Sequence, residues 1–145
     1  MGRIVVGVDG SEDSIRALRW AIEESRFRSD TVEAVIAWTY PYAAADGFGT
    51  IAVGIDPSDM IAGANHRLDT ALLAACPEPE ARAAIERRVE EDRPSHALVE
   101  ASKGADLLVV GSLGHGAFAE LLLGSVSLHC VTHANCPVVV VRPTK

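Results

Sequence analysis

Two hydrophobic rhythms alternate along this chain, short β-branched runs and an amphipathic period of about 3.6 residues, and their succession predicts the elements in order. Residues 3–8 (RIVVGV) predict a strand, and Asp9, Gly10 and Ser11 behind it supply a turn and helix-capping side chains. From Ser14, the apolar positions Ile15, Leu18, Ala21 and Ile22 recur at helical spacing to about Ser29, with Arg26 and Arg28 where the helix dipole favours cations. Residues 32–39 predict a second strand, nearly continuous in apolar residues as when helices cover both faces of a sheet. Residues 40–57, carrying Pro41, Gly47, Gly49, Gly54 and Pro57, predict a long irregular stretch able to cover a site. A helix over 58–75 follows and stops before Pro77 and Pro79. Residues 84–90 alternate Ile85 and Val89 with charges and suit an edge strand. Residues 94–103 suit a helix with Pro94 in its first turn and Gly104 as its cap. A strand over 106–110, a glycine-rich segment, a short helix over 125–133 and a last strand from Pro137 to Val141 complete the chain.

Five strands alternating with helices predict an α/β fold, a single doubly wound, mainly parallel five-stranded sheet in the order 3-2-1-4-5 with helices on both faces. At 145 residues, 48% hydrophobic and 23% charged, one core and one domain over 1–145 are expected. Lys and Arg number 13 against 20 Asp and Glu, and the net charge of −7 disfavours nucleic acid or an anionic membrane as partner. Apolar runs such as 107–110 and 138–141 are strand-sized and the first 30 residues lack a signal-like apolar region, so the expected location is the cytoplasm. Cys76, Cys130 and Cys136 contain no Cys-x-x-Cys pair and fit reduced, mostly buried thiols better than disulfides or a zinc knuckle.

In such a sheet the ligand crevice lies outside the carboxyl ends of the strands where the order reverses, between the first and fourth strands. Two small-residue turns meet there: Gly7, Val8, Asp9, Gly10 and Ser11, and then Gly111, Ser112, Leu113, Gly114, His115 and Gly116 directly after Val110. Glycine lets backbone N–H groups approach a polyphosphate and turn inward together. Gly124 and Ser125 open the next helix, whose free N–H groups, positive dipole end and Ser125 and Ser127 hydroxyls suit the same phosphates.

The spacing Gly111, two residues, Gly114, nine residues, Gly124-Ser125 resembles the nucleotide-binding signature of the ATP-binding branch of the universal stress protein family. The resemblance extends to the start, IVVGVDGS over 4–11, and to the end, CPVVVV over 136–141, and so spans the chain except its middle. It implies an adenine nucleotide alpha hydrolase-like (HUP) fold binding ATP with Mg²⁺. By position, it implies that Asp9 contacts the nucleoside and Ala37 lies beside the adenine. Gly111, Gly114, Gly124, Ser125, Val126 and Ser127 would hold ribose and phosphates. It also implies homodimers formed partly through the last strand, Pro137 to Val141. Many family members place a basic residue between the first two glycines; here Leu113 stands there, with the ionisable His115 beyond Gly114, a departure that weakens the case for a triphosphate.

Other readings of the same residues are weaker. Gly114 to Ala119 mimics a dinucleotide fingerprint, but no acidic residue follows about 20 positions on. No Gly-Lys-Ser or Gly-Lys-Thr is present for a P-loop. The DGSEDS run over 9–14 is similar to the Ser-Gly-Gly-x-Asp-Ser loop of ATP pyrophosphatases with two small positions altered, and the chain is short for an acceptor site. Asp9 alone can be a turn or cap residue, and Ser125 and Ser127 an N-cap and a solvated hydroxyl. His129, His133 and Cys136 lack a fourth ligand for a metal, and Trp20 and Trp38 read as packing residues. Three functions remain open: a nucleotide-binding regulator, a slow ATP hydrolase or phosphotransferase with only Asp9 or His115 as candidate base, and a nucleotide-free interaction module.

Overall fold

The computed structural model describes residues 1–40, 42–44, 50–52, 54, 56–113 and 123–143. The elements run β1 (Arg3–Gly7), α1 (Glu12–Arg28), β2 (Thr31–Trp38), β3 (Tyr42–Ala44), β4 (Thr50–Ala52), α2 (Pro57–Ala75) and α3 (Pro79–Ala83). They continue with β5 (Glu86–Glu91), α4 (Pro94–Ala101), β6 (Leu107–Gly111), α5 (Ser125–His133) and β7 (Val138–Val141). One parallel sheet has the order β5-β2-β1-β6-β7, which is 3-2-1-4-5 when only its own strands are numbered.

β1 is central because its side chains are apolar on both faces. Ile4 and Val6 point to the side covered by α1 and α2, where they join Leu18, Ala21, Ile36, Leu68, Ala71 and Val109. Val5 points to the opposite side and joins Val35, Leu98, Leu108, Val110 and Cys130 under α4 and α5. Cys130 is fully buried there and its thiol is pushed up to about 11 by desolvation, so it packs as a small hydrophobe. Among the described residues, no helix is long and apolar enough to cross a membrane.

The local signals sit where their chemistry requires. Ser11 caps α1 by accepting a hydrogen bond from the Ser14 N–H, and Ser29 ends the helix in the left-handed region at φ 56°. The 40–57 stretch, expected to be irregular, contains an antiparallel ribbon of β3 and β4 with Tyr42 opposite Ala52. Its β-prone residues are too few between the prolines and glycines to form a periodic signal. β5 begins at Glu86, after Ile85, because the Ile85 N–H is still bonded to the Arg82 carbonyl at the end of α3.

At the amino end of the sheet, Asp30 accepts from the Gly2 N–H at 2.7 Å and from Arg28 Nε at 2.9 Å. The Arg28 hydrogen bond leads the causes that hold this carboxyl below the usual aspartate range. A depressed carboxyl stabilises the fold above its unfolded pKa, and the contribution is lost as pH falls through the folded one. Asp30→Asn is therefore expected to lower the urea midpoint at pH 7, and the two proteins should converge as the pH drops below about 3.9, the unperturbed aspartate value. A gap that stays constant with pH would contradict this.

Candidate functional site

The carboxyl ends of β1, β2 and β6 open into a cleft of about 430 Å³, within the size range of small-molecule sites. Its β1 side is a self-bonded turn. The Ser11 N–H donates to Asp9 Oδ1 at 2.8 Å, Ser14 Oγ donates to the Ser11 carbonyl at 2.9 Å, and the Asp9 N–H donates to Ser14 Oγ at 3.3 Å. Gly10 completes the turn at φ +86°, a conformation that a side chain disfavours.

The β6 side rests on close contacts that need small residues. A Cβ on Gly111 would stand 2.9 Å from the carbonyl carbon and oxygen of Asp13, so the end of β6 abuts the first turn of α1. Asp13, itself buried, accepts from the Leu113 N–H at 3.0 Å and pairs with Arg16. The chain re-enters through Gly124, whose N–H donates to the Ser112 carbonyl at 2.6 Å, and Ser127 Oγ donates to the Gly111 carbonyl at 2.5 Å. Gly7 makes the same kind of room on the other side, since a Cβ there would lie 2.7 Å from Leu98 Cδ1.

Gly124 is the N-cap of α5 and offers no side chain to it. No described residue accepts from the Ser125, Val126 and Ser127 N–H groups, which are the first-turn donors of this helix and border the cleft. With the helix dipole behind them, they form the anion-favouring end of the site. The other end is apolar: Val35, Ile36 and Ala37 from β2, Val8 beyond β1, Val110 from β6, and Pro94 and Leu98 from α4.

Of the residues expected from sequence, Gly7, Asp9, Ser11, Ala37, Val110, Gly111, Leu113, Gly124, Ser125, Val126 and Ser127 line this one cleft. Gly10 does not. It lines a neighbouring hollow of about 360 Å³ with Asp9, His66, Arg67, Thr70 and Ala71, because its turn faces α2. Gly114, His115 and Gly116 lie outside the described residues. Ser127 offers the cleft its N–H rather than its hydroxyl hydrogen, which is committed to Gly111. Val8, placed in the first turn by the sequence, also lines the cleft, and sequence reasoning missed Ser14, Val35, Ile36, Arg67, Pro94 and Leu98. The strand ends were detectable as neighbours of Gly7 and Ala37, whereas nothing local marks Arg67 or Leu98. Among the described residues, no three His, Cys, Asp or Glu side chains cluster to hold a metal; the His129 and His133 rings stand side by side, 4.5 Å apart.

Comparison with known proteins agrees with this architecture. The model of the Universal stress protein family matches residues 1–142. A universal stress protein of Mycolicibacterium smegmatis is 35% identical over 145 residues, covering 97% of this chain and 45% of the relative. The chain spans about half the length of the curated relatives it matches. Among solved structures, it is similar to a universal stress protein in complex with cAMP, with a TM-score of 0.71 and 26% identity over 99% of this chain and 98% of the other. It is also similar to the universal stress protein of Archaeoglobus fulgidus in complex with dAMP, with a TM-score of 0.66 and 25% identity over 97% of each chain. A strand-ended cleft, the helix-capped glycine turns and a match over nearly the whole sequence lead to one assignment: the chain belongs to the universal stress protein family.

Proposed function

We propose that the cleft binds ATP, or a close adenine nucleotide, and that its occupancy serves a regulatory role in a stress response. The observation that carries this reading is the pairing, in one cleft, of an apolar slot at the end of β2 with three first-turn N–H groups of α5 that have no acceptor among the described residues. A flat heterocycle suits the first and a phosphate the second. The cAMP and dAMP complexes of similar proteins support an adenine ligand.

Mg²⁺ belongs to this reading only as the counter-ion of the phosphates. Asp13 is engaged by Leu113 and Arg16, and Asp9 Oδ1 holds the Ser11 N–H, so the described carboxylates do not make a ligand set. Asp9 is also the one carboxylate among the described residues lining the cleft. Its engagement in the turn favours binding over turnover. A cytoplasmic location goes with the same reading, supported by three free cysteines.

Calorimetric titration tests the proposal. ATP, AMP and cAMP should each compete for one site per chain, with GTP bound more weakly because its exocyclic groups do not match an apolar slot. Equal affinity for ATP and GTP, or no binding by any adenine nucleotide, would overturn it.

The reading includes a homodimer built through β7. This strand is at the sheet edge, all four of its residues are half-buried, and Leu128 and Val131 are exposed on the adjoining α5. The Pro137 and Val141 carbonyls accept from the Leu108 N–H in β6 and the Ser112 N–H just after it, so by alternation the Val138 and Val140 backbone groups face outward. Val140→Pro removes an outward donor that β6 does not use. By light scattering it is expected to convert a dimer into a monomer that keeps its far-ultraviolet spectrum; a dimer that persists would place the interface elsewhere.

A further inference from the structure

The cleft and the neighbouring hollow share two residues, Asp9 and Arg67, and Arg67 is the one arginine or lysine among the described residues bordering either. The residue is exposed on α2, and its stem follows the surface of the turn. The arm lies along the Gly10 turn, with its Cδ, Cβ and Cγ at 3.6, 3.8 and 3.9 Å from where a Gly10 Cβ would be. It has no ion-pair or hydrogen-bond partner among the described residues. Elsewhere, several arginines are matched to acids: Arg3 and Arg88 to Glu33, Arg16 to Asp13, Arg28 to Asp30 and Arg87 to Asp69. In a chain of net charge −7, a guanidinium with no acidic partner among the described residues, on the rim of an anion-favouring cleft, favours an anionic ligand group.

The two anion-favouring features approach from opposite faces of the sheet. α5 packs on the side of Val5 and Leu108, and α2 on the side of Ile4 and Val6. One phosphoryl group at the α5 N–H groups therefore leaves Arg67 to a second one. We infer that Arg67 is a second anion anchor, and that the site selects adenine ligands carrying a phosphoryl group beyond the one held at α5. The inference rests on the nucleotide reading above. The second group has two chemical sources, the distal phosphates of a 5′ chain or a phosphate on the ribose edge beside Asp9.

The test is the affinity of AMP, ATP and adenosine 3′,5′-bisphosphate for the wild-type chain, Arg67→Gln and Arg67→Lys. Glutamine keeps most of the stem on Gly10, and lysine keeps the charge. The wild type should prefer ATP or the bisphosphate over AMP by about fivefold, a partly solvated charge-assisted contact. The ratio should fall to about one in Arg67→Gln and survive in part in Arg67→Lys. Preference for ATP alone identifies the 5′ chain as the source, and preference for the bisphosphate alone identifies the ribose edge. A ratio unchanged in Arg67→Gln, an equal loss for all three ligands, or a wild type indifferent among them would overturn the inference while leaving nucleotide binding intact. A wild type that binds none of the three would remove the nucleotide reading itself.

Discussion

Replacing Ala37 by Trp is expected to lower adenine-nucleotide affinity by about 100-fold, equivalent to about 2.7 kcal/mol, while leaving the melting temperature nearly unchanged. Ala37 pairs with Glu90 on β5 in the parallel ladder, and its side lies on the cleft with Val35, Pro94 and Leu98. An indole there fills the apolar end of a space of about 430 Å³ that opens to solvent. It meets no closed core, and a strand position accommodates an aromatic well. The loss should appear in titration with any adenine ligand, because the base is the shared part. Unchanged affinity would mean that the base sits away from β2.

Gly111→Ala should act in the opposite way, through stability. The added methyl carbon would stand 2.9 Å from the Asp13 carbonyl group, which is backbone in the first turn of α1 and cannot rotate away as a side chain can. Relief requires β6 and α1 to separate, which also strains the bond from Leu113 to Asp13. A cost of about 2–3 kcal/mol is expected, or roughly 5–10 °C in melting temperature for a chain of this size. Gly63→Ala is the matched control. It lies within α2 with nothing within 4 Å of its Cβ position, so the same methyl should raise stability by about 0.5–1 kcal/mol. Equal shifts in the two variants would contradict the close contact between Gly111 and α1.

The contrast between these glycines shows what was legible in the chain. Alternating runs disclosed the five strands of the main sheet, and the crossover rule ordered them, because β1, β2 and β6 carry apolar residues on both faces. The bounds of α5 could be read because Gly124-Ser125 and the following loop punctuate it. Gly7, Gly111 and Gly124 line the cleft, but Gly111 also answers to a helix: its room is taken up by Asp13. The difference is invisible in sequence because both uses require the absence of a side chain. Arg67 escaped for a related reason. On α2 it is one charged residue in an amphipathic helix, and only the docking of α2 over the Gly10 turn brings it to the rim. Leu98 likewise reaches the cleft floor because Gly7, distant in sequence, leaves space for it.

The central claim is that an adenine nucleotide belongs in this cleft. The most direct measurement is the mass and absorbance of any small molecule released when the chain, purified without added nucleotide, is denatured, with Ala37→Trp treated in parallel. The account predicts about one equivalent of an adenine nucleotide from the wild-type chain and none from the variant. A wild-type chain that releases nothing and also ignores millimolar Mg-ATP would contradict it, and would point to a nucleotide-free interaction module instead.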